Sequence, residues 1–327
     1  AYALLAYQTA WLKAHYPEHF YAAVLTNELD DTSKVFKYVQ ELKSQKISLL
    51  PPDINESEAG FTPVKGGIRY GLEALKGVGH ASVEAILEAR RQGKFLSFFD
   101  FAERVGHRAL NKRVLESLVC AGAFDSFCPA GNSPDVWRAR LFAAVDAALT
   151  SGTRAQKAKE VGQNALFGEV SGGAPEARQG VLPEVAPWTK TELLNGEKNA
   201  IGFYITGHPL ENYTDILAKL KCTQTLGLAE SGAGKVINIG GVVTEAQVRT
   251  TKKGDRFSLF RLEDQDGGVK WVAWPDVYGK FGKLIVDDQA LVVTGRLEVS
   301  DENVCTVIVS EPDGEGRLRH RSVNSCI

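Results

Sequence analysis

The chain has 327 residues, 44% of them hydrophobic, and a formal net charge of −2. That length allows two or three domains, and no apolar run approaches the ~18 residues that a membrane span needs. With charge so near balance, any nucleic-acid role needs local basic patches rather than a basic whole.

The elements follow from periodicity. Leu4, Leu5, Tyr7, Trp11, Leu12 and His15 recur near the helical period, and Pro17 breaks the run. The pattern starts without a cap, and the chain carries no Met at all, so it reads as a piece of a longer protein. Residues 1–7 lack a basic n-region and a cleavage site and do not read as a signal peptide. A second helix is expected over about 18–26. A third starts from Ser33 as N-cap, carries Val35, Phe36, Val39 and Leu42, and is stopped by Pro51-Pro52. Phe61 to Val64 and Ile68 to Tyr70 flank Gly66-Gly67, a hairpin signal. A compact helical region follows over about 72–127. Ser133-Pro134-Asp135 then opens a helix with Trp137, Leu141, Val145 and Ala148 on one stripe. From about Thr150 to Pro187 the composition turns to Gly, Ala, Ser, Pro and charge, a linker signature. Thr189 to Glu192 forms a capping-box pattern whose helix is expected to end near Gly207-His208-Pro209.

From Lys235 onward the period becomes two. Five strands are expected: Val236–Val248, Arg256–Glu263, Val269–Trp274, Ala290–Val299 and Val304–Val309, with a helical piece from Pro275 to Ile285 after the third. Five strands with a helix between the third and fourth is the pattern of an OB-fold barrel. The expected class is therefore multidomain α+β: a mainly helical region with tandem helix-hairpin-helix elements, then a five-stranded OB-fold β-barrel.

Three stretches carry candidate chemistry. Leu75-Lys76-Gly77-Val78-Gly79 precedes an amphipathic helix with Val83, Ile86 and Leu87 on one face. Glycines let the backbone turn tightly, and the free N–H groups at the next helix start can hold a phosphate. Lys76, Arg90, Arg91 and Lys94 add charge without reading sequence. A Gly-rich turn between packed helices explains the same residues. Ala121 to Phe124, after Lys112 and Arg113, offers a second, degenerate hairpin. In the β region, Lys252, Lys253 and Arg256 line the first hairpin turn, and Phe257, Phe260, Trp271 and Trp274 lie on the second and third strands. Basic loops with aromatic strands suit single-stranded nucleic acid, although alternate aromatics also suit a barrel core. Gln163-Asn164-Ala165-Leu166-Phe167 stands alone in the polar stretch, with the form of a linear motif that docks two apolar side chains.

Other patterns are set aside. The five cysteines, Cys120, Cys128, Cys222, Cys305 and Cys326, contain no CxxC pair, which argues against a zinc site or a disulfide framework and fits a reducing cytoplasm. His15 and His19 have Pro17 between them and no third ligand. Gly232 to Lys235 lacks the spacing of a phosphate loop. No catalytic triad and no paired Asp site for two Mg²⁺ ions stands out.

Taken in order, Ala6 to Lys13 with Tyr16-Pro17, Leu50 to Asn55, Ile68 to Leu72, Leu75 to Gly79, Asn111 to Leu118 with Ala121 to Asp125, and Gly202 to Tyr204 with Thr206 to Leu210 resemble the C-family of bacterial replicative DNA polymerases, the polymerase III alpha subunits, in their C-terminal half. The resemblance implies an assignment along the chain. Residues 1–50 correspond to the end of the fingers. Residues 51–160 correspond to a helix-hairpin-helix domain that binds DNA and the clamp. Residues 161–187 correspond to a linker carrying that motif, 188–234 to a helical connector, 235–311 to the OB-fold and 312–327 to a truncated C-terminal domain. It implies duplex contacts through Lys76, Gly77, Val78, Gly79, Arg90, Lys112 and Arg113. It implies single-strand contacts through Lys252, Lys253, Arg256 and Trp271, and docking of Gln163, Leu166 and Phe167 on the sliding clamp, the beta subunit. The implied partners are duplex and single-stranded DNA, the clamp, and other holoenzyme subunits including the 3′–5′ exonuclease, in the cytoplasm and without a membrane.

The family's palm carboxylates, which hold Mg²⁺, are missing from this stretch. The resemblance therefore implies a DNA-directed DNA polymerase as the full-length protein, but no catalytic residue, metal or cofactor in this chain and no synthesis by it alone. An error-prone paralogue active in translesion synthesis and a free-standing DNA-binding adapter are the alternatives. The intact Gln163-to-Phe167 motif favours the replicative branch.

Overall fold

The computed structural model describes residues 2–106, 108–160, 181–225, 228, 232–265, 267–299 and 305–309. The chain divides into two compact units, Ala1–Thr206 and Gly207–Ile327.

The first unit is mostly helical. α1 (Tyr2–His15) is followed by α2 (Pro17–Asn27), with proline at the first helical position where its missing N–H costs nothing. The apolar stripe of α1 is not a core stripe: none of its residues is buried, and Leu4, Leu5, Tyr7, Trp11 and Leu12 are exposed. α3 spans Thr32–Ser44. Its start differs from the sequence expectation. Ser33 lies inside the helix, and the Asp31 carboxylate accepts the Lys34 N–H at 3.1 Å, because an Asx side chain three residues upstream reaches an orphan amide.

The Gly66-Gly67 hairpin forms as expected, with β2 (Thr62–Val64) antiparallel to β3 (Gly67–Arg69). A short β1 (Ser48–Leu50), not anticipated, adds to β3 in parallel. There follow α4 (His80–Arg91), α5 (Phe98–Val105) and α6 (Lys112–Cys120). α5 and α6 start at the Ser97 and Asn111 N-caps, whose side chains accept the Asp100 and Val114 amides. Between these helices Phe95, Phe98, Phe101 and Phe124 pack edge to face, with centroids 5.0–5.1 Å apart, the arrangement that ring quadrupoles favour.

The expected helix after Ser133 divides into α7 (Pro134–Ala143) and α8 (Val145–Glu160), with Trp137, Leu141, Val145 and Ala148 all buried. Thus residues 150–160, read as linker from their composition, are helix. A Cβ on Gly152 would sit 2.6 Å from the Ala102 carbonyl oxygen, so this glycine serves close packing of α8 on α5. α9 (Lys190–Ile201) begins with the expected reciprocal Thr189–Glu192 capping box. It ends earlier than expected, at Gly202, whose φ of 103° is the left-handed cap that glycine adopts without strain.

A charged knot lies beneath α9. Arg138 is buried, donates to both Asp125 carboxylate oxygens and to the Cys120 carbonyl, and stands 3.7 Å from Glu197. Buried Glu197 accepts from the amides of Ile205 and Thr206 and from the Thr206 hydroxyl. Each buried charge therefore has a partner, as burial requires.

In the second unit α10 (Thr214–Lys219) precedes a closed barrel of β4 (Val236–Thr250), β5 (Arg256–Glu263), β6 (Gly268–Ala273), β7 (Ala290–Val299) and β8 (Cys305–Val309). Around the wall the order is β4-β5-β6-β8-β7, with β6–β8 parallel and the other pairs antiparallel. α11 (Pro275–Phe281) lies between β6 and β7. This is the OB-fold expected from the strand pattern. Inside are Ile239, Val243, Phe260, Leu262, Trp271, Leu297 and Val307. A bulge between Thr244 and Gln247, with Glu245 at φ 55°, bends β4. Beyond it Gln247 to Thr250 are exposed, so the end of the β4–β5 ribbon carries its residues into solvent.

Candidate nucleic-acid interface

The turn from Leu75 to Gly79 is built as a tight link into α4. Gly77 has φ 87°, and a Cβ there would lie 3.0 Å from Arg113 Nε. The turn therefore needs glycine both for its conformation and because the Arg113 side chain crosses it. Val78 is buried and anchors the turn, whereas Lys76, Gly77 and Gly79 are exposed. Gly79 is the N-cap of α4 and has no side chain to cap it. The first amides bonded back to it are those of Ser82 and Val83. The amides of Gly79, His80 and Ala81 precede those bonds, at exposed positions with open space over Gly79. A helix start of this kind carries positive partial charge and donors suited to a phosphate.

Arg113 and Lys112 open α6, and the turn before it, after Gly106 at φ 84°, holds Arg108 and Asn111 at exposed positions. Two serines tie this turn to the first. Ser117 of α6 donates to the Lys76 carbonyl at 2.7 Å, and Ser82 of α4 donates to the Ala109 carbonyl at 2.7 Å. Each helix thus bonds the turn that precedes the other. The α5–α6 turn is thereby tied to the Leu75–Gly79 turn by hydrogen bonds that the sequence does not announce. The turn at Ala121 to Phe124, read as a degenerate second hairpin, is buried instead. Gly122 faces inward there, where a Cβ would meet Arg138 Cζ and the Asp125 carboxylate at 2.8 Å. It was indistinguishable in sequence because glycine after a helix serves both roles.

The remaining candidate cations divide by what holds them. Arg90 turns inward, donating to the Ser57 carbonyl at 2.6 Å and to Glu58 at 2.7 Å, so its guanidinium braces the 54–58 loop. Lys112 is exposed and paired with Asp146 at 2.9 Å, a hydrogen bond that raises its pKa. The Lys76 amide bonds the Ala200 carbonyl, and its side chain lies by Gly202 at the end of α9. His80, in the first turn of α4, is bonded by Glu73 and faces Glu84 at 3.3 Å; the Glu73 hydrogen bond first, then the Glu84 charge, raises its pKa.

On the barrel, Lys252, Lys253 and Arg256 are exposed on the β4–β5 ribbon, where Thr251 closes the turn by accepting from the amides of Lys253 and Asp255. Trp271 is not beside them. It is fully buried, stacked on Phe260 inside the barrel. Strand parity decides this: Val269, Trp271 and Ala273 are buried, and the residues between them face outward. Trp274, three residues on, lies on the opposite side. It is 45% exposed and stacks on Phe257 with centroids 5.3 Å apart. Gln163, Leu166 and Phe167 lie outside the described residues. Among the described residues, no group of three or more His, Cys, Asp or Glu side chains is placed to hold a metal ion, and no helix is long and apolar enough to cross a membrane.

The model of the helix-hairpin-helix motif matches residues 46–132, the region that holds both turns. The DNA polymerase III alpha subunit of Vibrio cholerae is 37% identical over 305 residues, which cover 93% of this chain and 26% of that protein. The chain is homologous to part of the DNA polymerase III alpha subunit. The alpha subunit of Escherichia coli K12 is 38% identical over 304 residues, covering 92% of this chain and 26% of the relative, and that of Neisseria meningitidis serogroup B is 37% identical over 303 residues. The similarity to alpha subunits thus runs through both compact units. The chain spans about a quarter of the length of these relatives.

Proposed function

We propose that this chain is the part of a replicative polymerase alpha subunit that grips DNA and tethers the enzyme to its sliding clamp. The observation that carries the reading is the homology over nine-tenths of the chain, joined to a helix-hairpin-helix match over residues 46–132, a range that contains both exposed turns. The first turn holds a duplex phosphate on the amides beside Gly77, Val78 and Gly79, with Lys76 and Arg113 adding charge. The second turn, with Lys112 after Asn111, holds another. Contacts of this kind position a duplex without reading its sequence. Arg90, braced on the 54–58 loop, is not among them. Lys252, Lys253 and Arg256 hold the backbone of the single-stranded template. Residues 1–50 act as the end of the fingers and residues 235–311 as the template-side barrel.

Gln163, Leu166 and Phe167 dock on the clamp, with the two apolar side chains in a pocket and the amide at its edge. Once the clamp is held, rebinding of DNA becomes intramolecular, so the tether works through effective concentration. Nucleotide addition, with its Mg²⁺, belongs to the full-length protein, and this chain alone carries no synthesis.

The test is capture of this chain on immobilised clamp, with and without Leu166→Ala plus Phe167→Ala. Loss of capture in the double variant supports the tether, and undiminished capture removes it. A primer-extension assay on the same chain is expected to show no synthesis; extension would refute the assignment of the chemistry to other parts of the protein.

A further inference from the structure

The outer face of β5 and β6 carries an aromatic shelf that the residues inside the barrel do not explain. The register pairs Ser258 with Ala273, so Phe257 and Trp274 are the next pair along the ribbon. Their rings lie nearly parallel, 27° apart, with Trp274 45% exposed and Phe257 half-buried. Leu259 and Val272 form the next outward pair and extend the apolar surface, and Arg261 and Lys270 are the pair beyond them. Across β4, Arg249 pairs with Phe257 and Thr250 with Arg256, and Lys252 and Lys253 stand at the adjoining turn. On the other side, Trp274, Asp276, Val277, Lys280 and Val309 line a shallow hollow of about 600 Å³. A contiguous exposed apolar face rimmed by polar groups marks an interaction site, whereas a single exposed apolar side chain does not. Here the flat apolar face is bordered at both ends by cations: Arg249, Lys252, Lys253 and Arg256 at one, Arg261 and Lys270 at the other, against Asp255, Asp276 and Glu263.

We infer that the Phe257–Trp274 shelf is a base-stacking site for an unpaired nucleotide of single-stranded DNA. The inference rests on the reading of the barrel as the template-side domain and gives that domain its stacking residue. A flat π-face accepts any base, and the cations at its ends attract the phosphates on either side of that base. Trp274 takes the role that sequence reading gave to Trp271: both are tryptophans in one segment, but a strand can present only one of two residues three apart on its outer face. Phe257 stacks against Trp274, which is still 45% exposed.

The test titrates the full chain with a labelled single-stranded oligothymidylate and with an abasic oligomer of equal length, following anisotropy. Stacking on an aromatic face predicts that Trp274→Ala weakens oligothymidylate binding by about tenfold or more. It leaves the abasic oligomer unaffected, and Trp274→Phe retains most of the affinity. Lys252→Ala with Lys253→Ala weakens both oligomers alike. Circular dichroism checks that each variant is folded. If the lysine pair matters and Trp274→Ala does not, the barrel holds single strands and the shelf is not the stacking site. If the unaltered chain binds neither oligomer, the template-side reading and the shelf fall together. If Trp274→Ala instead dissociates a dimer in sedimentation and leaves DNA binding intact, the shelf joins two copies and the inference is overturned.

Discussion

The Leu75–Gly79 turn and the α5–α6 turn are held together by a reciprocal pair of serine hydrogen bonds, and removing them tests whether the two turns act as one platform. Ser117→Ala strips the donor from the Lys76 carbonyl, and Ser82→Ala strips it from the Ala109 carbonyl; both bonds are 2.7 Å, and both serines are buried. A neutral hydrogen bond contributes ~0.5–1.5 kcal/mol net, and a carbonyl left dry costs ~1–3 kcal/mol. With the turns partly open to solvent, each substitution is expected to cost about 1–2 kcal/mol. Urea unfolding of the chain and its variants measures this as a shift in midpoint at constant slope. The double variant is expected to lose the sum of the two within ~0.5 kcal/mol if the bonds act independently, and to depart from it if the turns move as a unit. Affinity for a duplex of arbitrary sequence is expected to fall in parallel, since both turns must present their amides together. If both single variants unfold within ~0.3 kcal/mol of the parent, which is inside ordinary surface variation, the bonds do not brace the turns.

Further outcomes follow from other parts of the molecule. Arg138→Met leaves Glu197 buried without its cation and is expected to destabilise the first unit by ~3–5 kcal/mol; calorimetry showing less than ~1 kcal/mol would contradict the pairing. Trp271→Ala opens a cavity in the barrel core and is expected to cost ~3–5 kcal/mol in the second unit, a loss that a surface contact would not produce. The His80 pKa is raised by Glu73 and Glu84, so the stabilisation from this pairing is complete below the ordinary histidine value and is lost as pH rises through the higher folded value. NMR titration should place His80 above 6.5, and Glu73→Gln should move it back down. An unshifted midpoint would mean that the bond does not persist in solution.

Much of this architecture is legible in the sequence because two periods announce it. The barrel strands agree with their expected bounds within a residue or two, since β5 and β6 alternate buried and outward residues along their length. What escaped detection is mostly tertiary. Residues 150–160 resemble a linker because Gly and Ser are common in linkers, yet Gly152 is small so that α8 can press on α5. β1 is too short to show a period and exists because β3 offers it an edge. The Gly77 turn could be found from its glycines. The α5–α6 turn could not, because the side-chain bond that ties it to the first turn comes from Ser82 in α4. Trp271 and Trp274 differ only in strand parity, a signal present in the sequence once the register is known.

The measurement closest to the central claim is the salt dependence of duplex binding by this chain and by Lys76→Ala and Arg113→Ala. Each lost phosphate contact lowers the slope of log affinity against log salt by ~0.9. Weaker binding on every duplex sequence is expected, with a slope reduced by about one for each substitution. Unchanged slopes and affinities in both variants would contradict it.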